Sequence, residues 1–121
     1  MDTAQKLSQF EGRIRRAVAA IFPHAPFSVV ERRIYLLKAR IALGETTFVD
    51  IFYNPKNDRT DLALIHNNRR IFGYDNLAGW HRHPAEDPTS HIPCDEPSID
   101  QVLQEMKNLP LAANGSPTGH T

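Results

Sequence analysis

Residues 60–74 have the sequence TDLALIHNNRRIFGY, two largely apolar runs joined by Asn67-Asn68. Asparagine tolerates the positive φ that a two-residue hairpin turn requires, so the stretch predicts two antiparallel strands, Thr60–His66 and Arg69–Tyr74. Upstream, from residue 28 onwards, β-branched and aromatic residues continue with turn signals at short intervals. This pattern predicts an antiparallel meander.

Two further strands are predicted upstream, at Val30–Leu43 and Thr47–Tyr53, which gives a sheet of about four strands. In the first of them, apolar residues alternate with Lys38 and Arg40. Such alternation is typical of a strand with one buried side and one side facing water. Lys38 and Arg40 are therefore candidates for a basic surface on the sheet.

Two amphipathic patterns flank the meander. Residues Thr3–Phe22 carry apolar side chains at three- and four-residue spacing, and Pro23 ends the pattern. A second helix is predicted over Ser98–Leu109, with Ser98 as the N-cap and Gln101 closing a capping box. Each helix has one apolar stripe that needs cover, so we expect both to pack on one face of the sheet.

Length and composition fit one domain of the α+β class. We predict this single domain over residues 1–109 and a flexible tail over 110–121. Fourteen Lys and Arg residues balance fourteen Asp and Glu residues, so no overall field attracts a polyanion. The only cysteine is Cys94, and neither a signal-like segment nor a membrane-length apolar run is present, so we expect a cytoplasmic protein without membrane contact.

The segment Asp75–Glu96, predicted to be a loop of about 20 residues, is the best candidate for chemistry, since loops of this length are usually functional or disordered. His81 and His83 are two residues apart, which in an extended segment places both rings on one side. Histidines can hold a metal ion or transfer protons near neutral pH, and both uses stay open. His91 is a candidate third group, and Asp75 is a candidate to orient a histidine ring.

The segment Ile71–Asn76, together with His81-Arg82-His83-Pro84, His91 and the helix from Ser98, resembles the TumE family. Members of this family are toxins of bacterial and archaeal toxin-antitoxin systems. The resemblance covers roughly residues 69–109. It implies a toxin whose partner is an antitoxin protein encoded nearby.

Small growth inhibitors often cleave RNA, and a few side chains suffice for that reaction without a cofactor. We therefore expect a small endoribonuclease in which His81 and His83 act as base and acid and His91 is a third catalytic group. Asp75 would orient a histidine, and Arg82 or Arg59 would hold the phosphate. The candidate substrate-binding residues are Tyr74, Asn76, Trp80, Arg59, Lys38 and Arg40.

Two alternatives stay open. His81-Arg82-His83-Pro84 resembles the His-x-His-Pro motif of the zinc-dependent JAMM isopeptidases, and Ser98 and Asp100 nearly match their Ser-x-x-Asp. A zinc ion, if bound, would be held by His81, His83 and His91. The second alternative is a module that binds RNA or protein without catalysis. Formation of a homodimer is also left open.

Overall fold

The computed structural model describes residues 1–110, so nearly all of the predicted C-terminal tail lies outside the described residues. The described chain has two helices and seven strands, and all the strands belong to one antiparallel sheet in which each pairs with the next along the chain. The elements are α1 (Thr3–Ile21), β1 (Phe27–Arg33), β2 (Leu36–Ala42), β3 (Thr47–Asn54), β4 (Arg59–His66), β5 (Arg69–Asp75), β6 (His81–His83), β7 (Ile92–Pro93) and α2 (Ile99–Asn108). The α+β class is confirmed.

The sheet has more strands than the predicted four. The segment Val30–Leu43, predicted as one strand, instead contributes to the hairpin of β1 and β2, which turns at Ile34 and Tyr35. Neither residue is a typical turn former, which is why the sequence pattern concealed this turn. By contrast, the turn at Asn67 and Asn68 is confirmed, because both residues have positive φ, at 51° and 65°.

The predicted loop Asp75–Glu96 also contains ordered strands. After β5 the chain turns through Ala78 and Gly79, which have φ values of 56° and 103°, and returns as β6. The short β7 then pairs with β6. This extension brings the histidines of β6 alongside the end of β5.

Both helices lie on one face of the sheet, as predicted. The N-cap of α1 is Asp2, which forms a reciprocal capping box with Gln5. Phe10 of α1 stacks on Tyr53 of β3, with ring centroids 4.3 Å apart. The helix α2 begins at its N-cap Ser98, as predicted, and packs against α1 and β5 through three fully buried residues, Val102, Leu103 and Met106. Neither helix is long and apolar enough to span a bilayer.

We call the other side of the sheet the open face, because neither of the two described helices covers it. It contains a groove of about 490 Å³ that crosses β1 to β5. A bulge between β4 and β5 pairs Ile65 with Arg70 rather than with Ile71. This shift in phase turns Arg70 toward the open face, where it lines the groove.

Candidate active site on the open face

The pairing of β5 with β6 positions the central residues of the site. Asp75 lies opposite His81 and Gly73 lies opposite His83, so all four residues share the open face. Since Gly73 has no side chain, the His83 ring extends diagonally to Asp75, where Nε2 is 2.6 Å from Oδ2. Both side chains are buried, with residue exposures of 4% for His83 and 8% for Asp75.

The other ring nitrogen of His83 also faces an acceptor. Its Nδ1 lies 3.3 Å from the carbonyl oxygen of Pro88. A neutral imidazole has only one N–H, whereas the doubly protonated ring donates from both nitrogens and satisfies both acceptors. Both ring nitrogens of His83 are therefore engaged within the fold, Nε2 by the Asp75 carboxylate and Nδ1 by the Pro88 carbonyl. Such a ring is a positioning group rather than a free base.

The environment of Asp75 stabilises its negative charge. Burial alone raises the pKa of this carboxyl group. Hydrogen bonds from His83 and from the backbone N–H of Leu77, with the positive charges of His83 and Arg70, more than offset burial and lower the pKa below its ordinary value. Arg70 Nη1 lies 3.6 Å from Asp75, and Nη2 lies 2.9 Å from both carboxylate oxygens of Asp61. Arg70 therefore connects Asp75 to the groove.

His81 and His91 are the accessible histidines of the site. The Nδ1 atom of His81 is 2.8 Å from the carbonyl oxygen of Gly79, so the neutral ring carries its proton on Nδ1 and leaves the Nε2 lone pair free. The exposed His91 ring lies 4.5 Å from the His83 ring and 6.0 Å from the His81 ring, measured between centroids. The structure thus brings three imidazoles together beside one carboxylate.

The segment Pro84–His91, which we call the strap, connects His83 to His91. Asp87 organises it by accepting hydrogen bonds of 2.7 Å from the hydroxyl groups of Thr89 and Ser90. Aspartate is a frequent turn former because its carboxylate can accept hydrogen bonds from groups two or three residues further along the chain. The strap presents both the Pro88 carbonyl and the His91 ring to His83.

Arg82 and Tyr74 point away from the histidines. They lie opposite each other in the sheet, one residue out of phase with His81 and His83, and therefore face the helices. Arg82 lies 5.1 Å from the Phe72 ring and 4.0 Å from the Glu105 carboxylate. Tyr74 donates a 2.6 Å hydrogen bond to Glu105, and burial together with this bond raises the pKa of Tyr74 to about 12. The structure therefore places Arg82, which was predicted to hold the phosphate, on the helix side and apart from the histidines.

Asn76 and Trp80 also lie apart from the histidines. Asn76 accepts from the Thr60 N–H and donates to the Asp58 carbonyl, so its amide ties two loops together. Trp80 and Asn76 line a cleft of about 690 Å³ on the helix side.

Ser98 and Asp100 line the same helix-side cleft, whereas His81 and His83 project from β6 toward the open face. The Ser98 hydroxyl is occupied in capping α2, where it accepts from the Gln101 N–H at 3.0 Å. The structure therefore does not assemble the JAMM-like arrangement.

The three predicted basic residues of the sheet do meet in the groove of the open face. Lys38, Arg40 and Arg59 line it together with Arg70. Arg70 is not among the residues predicted from the sequence, because only the bulge turns it to the open face. Phe52 is not among them either, although the strict alternation of β3 places this groove residue on the same side as Lys38.

The three histidines do not fit a zinc site in this arrangement. Zinc needs a lone pair from each imidazole, and both nitrogens of His83 are directed at hydrogen-bond acceptors. Within residues 1–110, no group of three or more His, Cys, Asp or Glu side chains is arranged to hold a metal ion. Burial and the neighbouring Asp95 charge raise the pKa of the Cys94 thiol, which disfavours the thiolate that a metal would need.

The fold and the site define a two-layer α+β domain with a His–Asp cluster at the end of a basic groove. No family model, curated protein or solved structure matches this chain. The residues themselves therefore carry the functional argument.

Proposed function

We propose that this protein is an endoribonuclease that cleaves RNA by acid–base catalysis on the open face. The observation that carries the proposal is the convergence of His81, His83 and His91 beside Asp75, at one end of a groove with four basic side chains. Cleavage of RNA needs a base, an acid and nearby positive charge, and each of these is present here.

In this mechanism, neutral His81 is the base. Its Nε2 removes the proton from a ribose 2′-hydroxyl, whose oxygen then attacks the adjacent phosphorus. Charged His91 is the acid and gives its proton to the departing 5′-oxygen as the P–O5′ bond breaks. The products are a 2′,3′-cyclic phosphate and a 5′-hydroxyl. The 6.0 Å between the two ring centroids is short enough for one phosphodiester group to reach both.

His83 and Asp75 act as positioning residues. Through its hydrogen bond to the Pro88 carbonyl, His83 holds the strap that carries His91. Asp75 holds the His83 ring in turn, as a carboxylate orients a histidine in many sites. Arg70, next to Asp75, supplies the positive charge nearest to the cluster in the groove.

We further propose that the nuclease is the toxin of a toxin-antitoxin pair and acts in the cytoplasm. The support is the TumE-like motif and the single, unpaired Cys94. A nearby gene for a small protein would then encode the antitoxin. Growth arrest on expression, relieved by coexpression of that protein, is the expected result, and growth unaffected by a soluble, expressed chain would contradict it.

The nuclease is tested with purified wild type, His81→Ala and His91→Ala on a mixed-sequence RNA, with and without chelator. The control variant is His24→Ala, because His24 lines a separate hollow beside Phe22 and Lys107. We expect cyclic phosphate ends from wild type and control, and a rate loss of about 100-fold or more for each active-site variant. Circular dichroism verifies folding.

Two results would overturn this mechanism. Equal cleavage by all four folded proteins would remove His81 and His91 from catalysis and leave a binding module. Activity that disappears with chelator and returns with zinc would favour a metal hydrolase instead.

A further inference from the structure

We propose that the groove on the open face binds a single strand of RNA, with the phosphates on its basic side chains and a base stacked on Phe52. This deepens the proposed nuclease function, but the binding step can be tested without cleavage. Within residues 1–110 the groove is uncovered, since both helices of that range pack on the opposite face. Its volume of about 490 Å³ accommodates nucleotide-sized groups.

The groove has a local excess of positive charge. The groove is lined by four basic side chains and by two carboxylates, those of Asp50 and Asp61, which leaves an excess of two positive charges on a chain that is neutral overall. Arg40 and Arg70 are held within 2.9 Å of these carboxylates. The basic side chains in the groove are Lys38, Arg40, Arg59 and Arg70.

Two of the four cations are not held by a short ion pair. Lys38 forms no ion pair within the described residues, and Arg59 has only a long one, 3.9 Å from an Asp61 carboxylate that Arg70 already holds at 2.9 Å. Cations without a close counter-charge neutralise phosphates and release counterions on binding. Lys38 and Arg59 are therefore the expected phosphate contacts.

The open face also presents aromatic rings. The Phe48 ring on the open face is covered by the Arg40 guanidinium, 3.7 Å from the ring centroid. Phe52 lines the groove, and its ring has no stacking or cation partner within residues 1–110. Proteins that bind single strands combine a positive groove with aromatic rings on which bases stack. Phe52 beside Lys38 and Arg59 matches this combination.

The groove leads toward the histidines. Asp61 on β4 lies level with His81 on β6, and Arg59 is two residues further along β4, so strand spacing and this offset together separate Arg59 from His81 by about 12 Å. A strand bound across β4 and β5 therefore reaches the cluster within a few nucleotides. In a duplex, the bases are paired and stacked inside and cannot lie on Phe52, which is why a single strand is the expected ligand.

The experiment measures binding by fluorescence anisotropy with a DNA single strand of about ten nucleotides, which lacks the 2′-hydroxyl and cannot be cleaved by this route. The same sequence as a duplex is the second probe. We compare wild type with Phe52→Leu, Lys38→Ala and Arg59→Ala. The matched controls are Tyr35→Leu, in the β1–β2 turn, and Arg16→Ala, on the helix side.

We expect wild type and both controls to bind the single strand more tightly than the duplex, with affinity falling as salt rises. Lys38→Ala and Arg59→Ala should each reduce the slope of log K against log salt by about 0.7. Phe52→Leu should weaken binding on the order of tenfold and leave the slope unchanged. Equal affinity for both probes, or variants indistinguishable from the controls, would overturn the proposal.

The two proposals fail separately. Single-strand binding that depends on Phe52, without RNA cleavage, would remove the nuclease function and leave the groove assignment standing. Cleavage that depends on His81 and His91, but not on Phe52, Lys38 or Arg59, would leave the nuclease function standing and remove the groove assignment.

Discussion

The Nε2 atom of His83 lies 2.6 Å from Oδ2 of Asp75, along a diagonal between two neighbouring strands rather than across a directly opposed pair. The residue opposite His83 is Gly73, and its missing side chain leaves room for this diagonal contact. Any substitution at these three positions therefore affects the same small volume of the open face.

The variant Asp75→Asn should lower the free energy of unfolding at neutral pH by about 3 kcal/mol, because it removes the buried negative charge that the His83 ring and the Arg70 guanidinium contact. The folded-state pKa of Asp75 is below its ordinary value of 3.8. The Asp75 charge therefore contributes its full stabilisation above pH 3.8, and this stabilisation is lost as the pH falls through the lower folded-state pKa. Urea unfolding of both proteins at several pH values measures the difference.

We expect the difference in free energy of unfolding between wild type and Asp75→Asn to narrow steadily as the pH falls below 3.8, the ordinary pKa of this carboxyl group. The exposed carboxylate Asp50 provides the matched control variant Asp50→Asn, which should change stability by less than about 1 kcal/mol. A gap that is independent of pH would show that the Asp75 charge does not stabilise the fold.

The variant Gly73→Ala should destabilise the protein by about 1–3 kcal/mol. A Cβ atom at this position would lie 2.5 Å from the Leu62 carbonyl oxygen, so the backbone of β4 would have to shift. In Gly12→Ala the new Cβ would meet only the flexible end of Arg16, at 3.2 Å. That control should gain about 0.5–1 kcal/mol from helix propensity. Thermal unfolding of both variants tests the opposite signs.

Tyrosine ionisation at high pH tests the placement of Tyr74. The pKa values of Tyr74 and Tyr53 are both raised to about 12, by burial and by hydrogen bonds to Glu105 and Asp58, respectively. Because these raised values favour the protonated folded state, their contribution is present below pH 10 and is lost as the pH rises toward 12. In Tyr74→Phe, one late-ionising tyrosine should disappear from the absorbance titration.

The same variant separates core from substrate-binding roles. Tyr74→Phe should lose about 1 kcal/mol of stability with its hydrogen bond to Glu105, while kcat/KM for RNA cleavage stays within about twofold of wild type. A large loss of cleavage in a folded Tyr74→Phe protein would place the hydroxyl group in the reaction.

RNA cleavage should survive chelators and have a bell-shaped pH profile, because one histidine must be neutral while another is charged. Steady-state rates across the pH range, with and without chelator, measure both properties. In His81→Ala, the acidic limb of the pH profile, which reports deprotonation of the base, should disappear from the profile of any residual activity. An unchanged profile would assign the base to another group.

Local patterns in the chain already determined several elements. The apolar spacing of Thr3–Ile21, the N-cap Ser98 and the Asn67-Asn68 turn each depend on residues close in sequence, so their structures were predictable. The same holds for the shared sidedness of His81 and His83, which follows from the two-residue period of any strand.

Contacts between distant residues decided the rest. Only the pairing of β5 with β6 places Asp75 on His83, and the same alternation sends Arg82 to the helices. Only the bulge beside Ile65 turns Arg70 to the groove. Strand partners, register and bulges are set by packing across the whole sheet rather than by local preference, so the chemistry of this face is decided by tertiary structure.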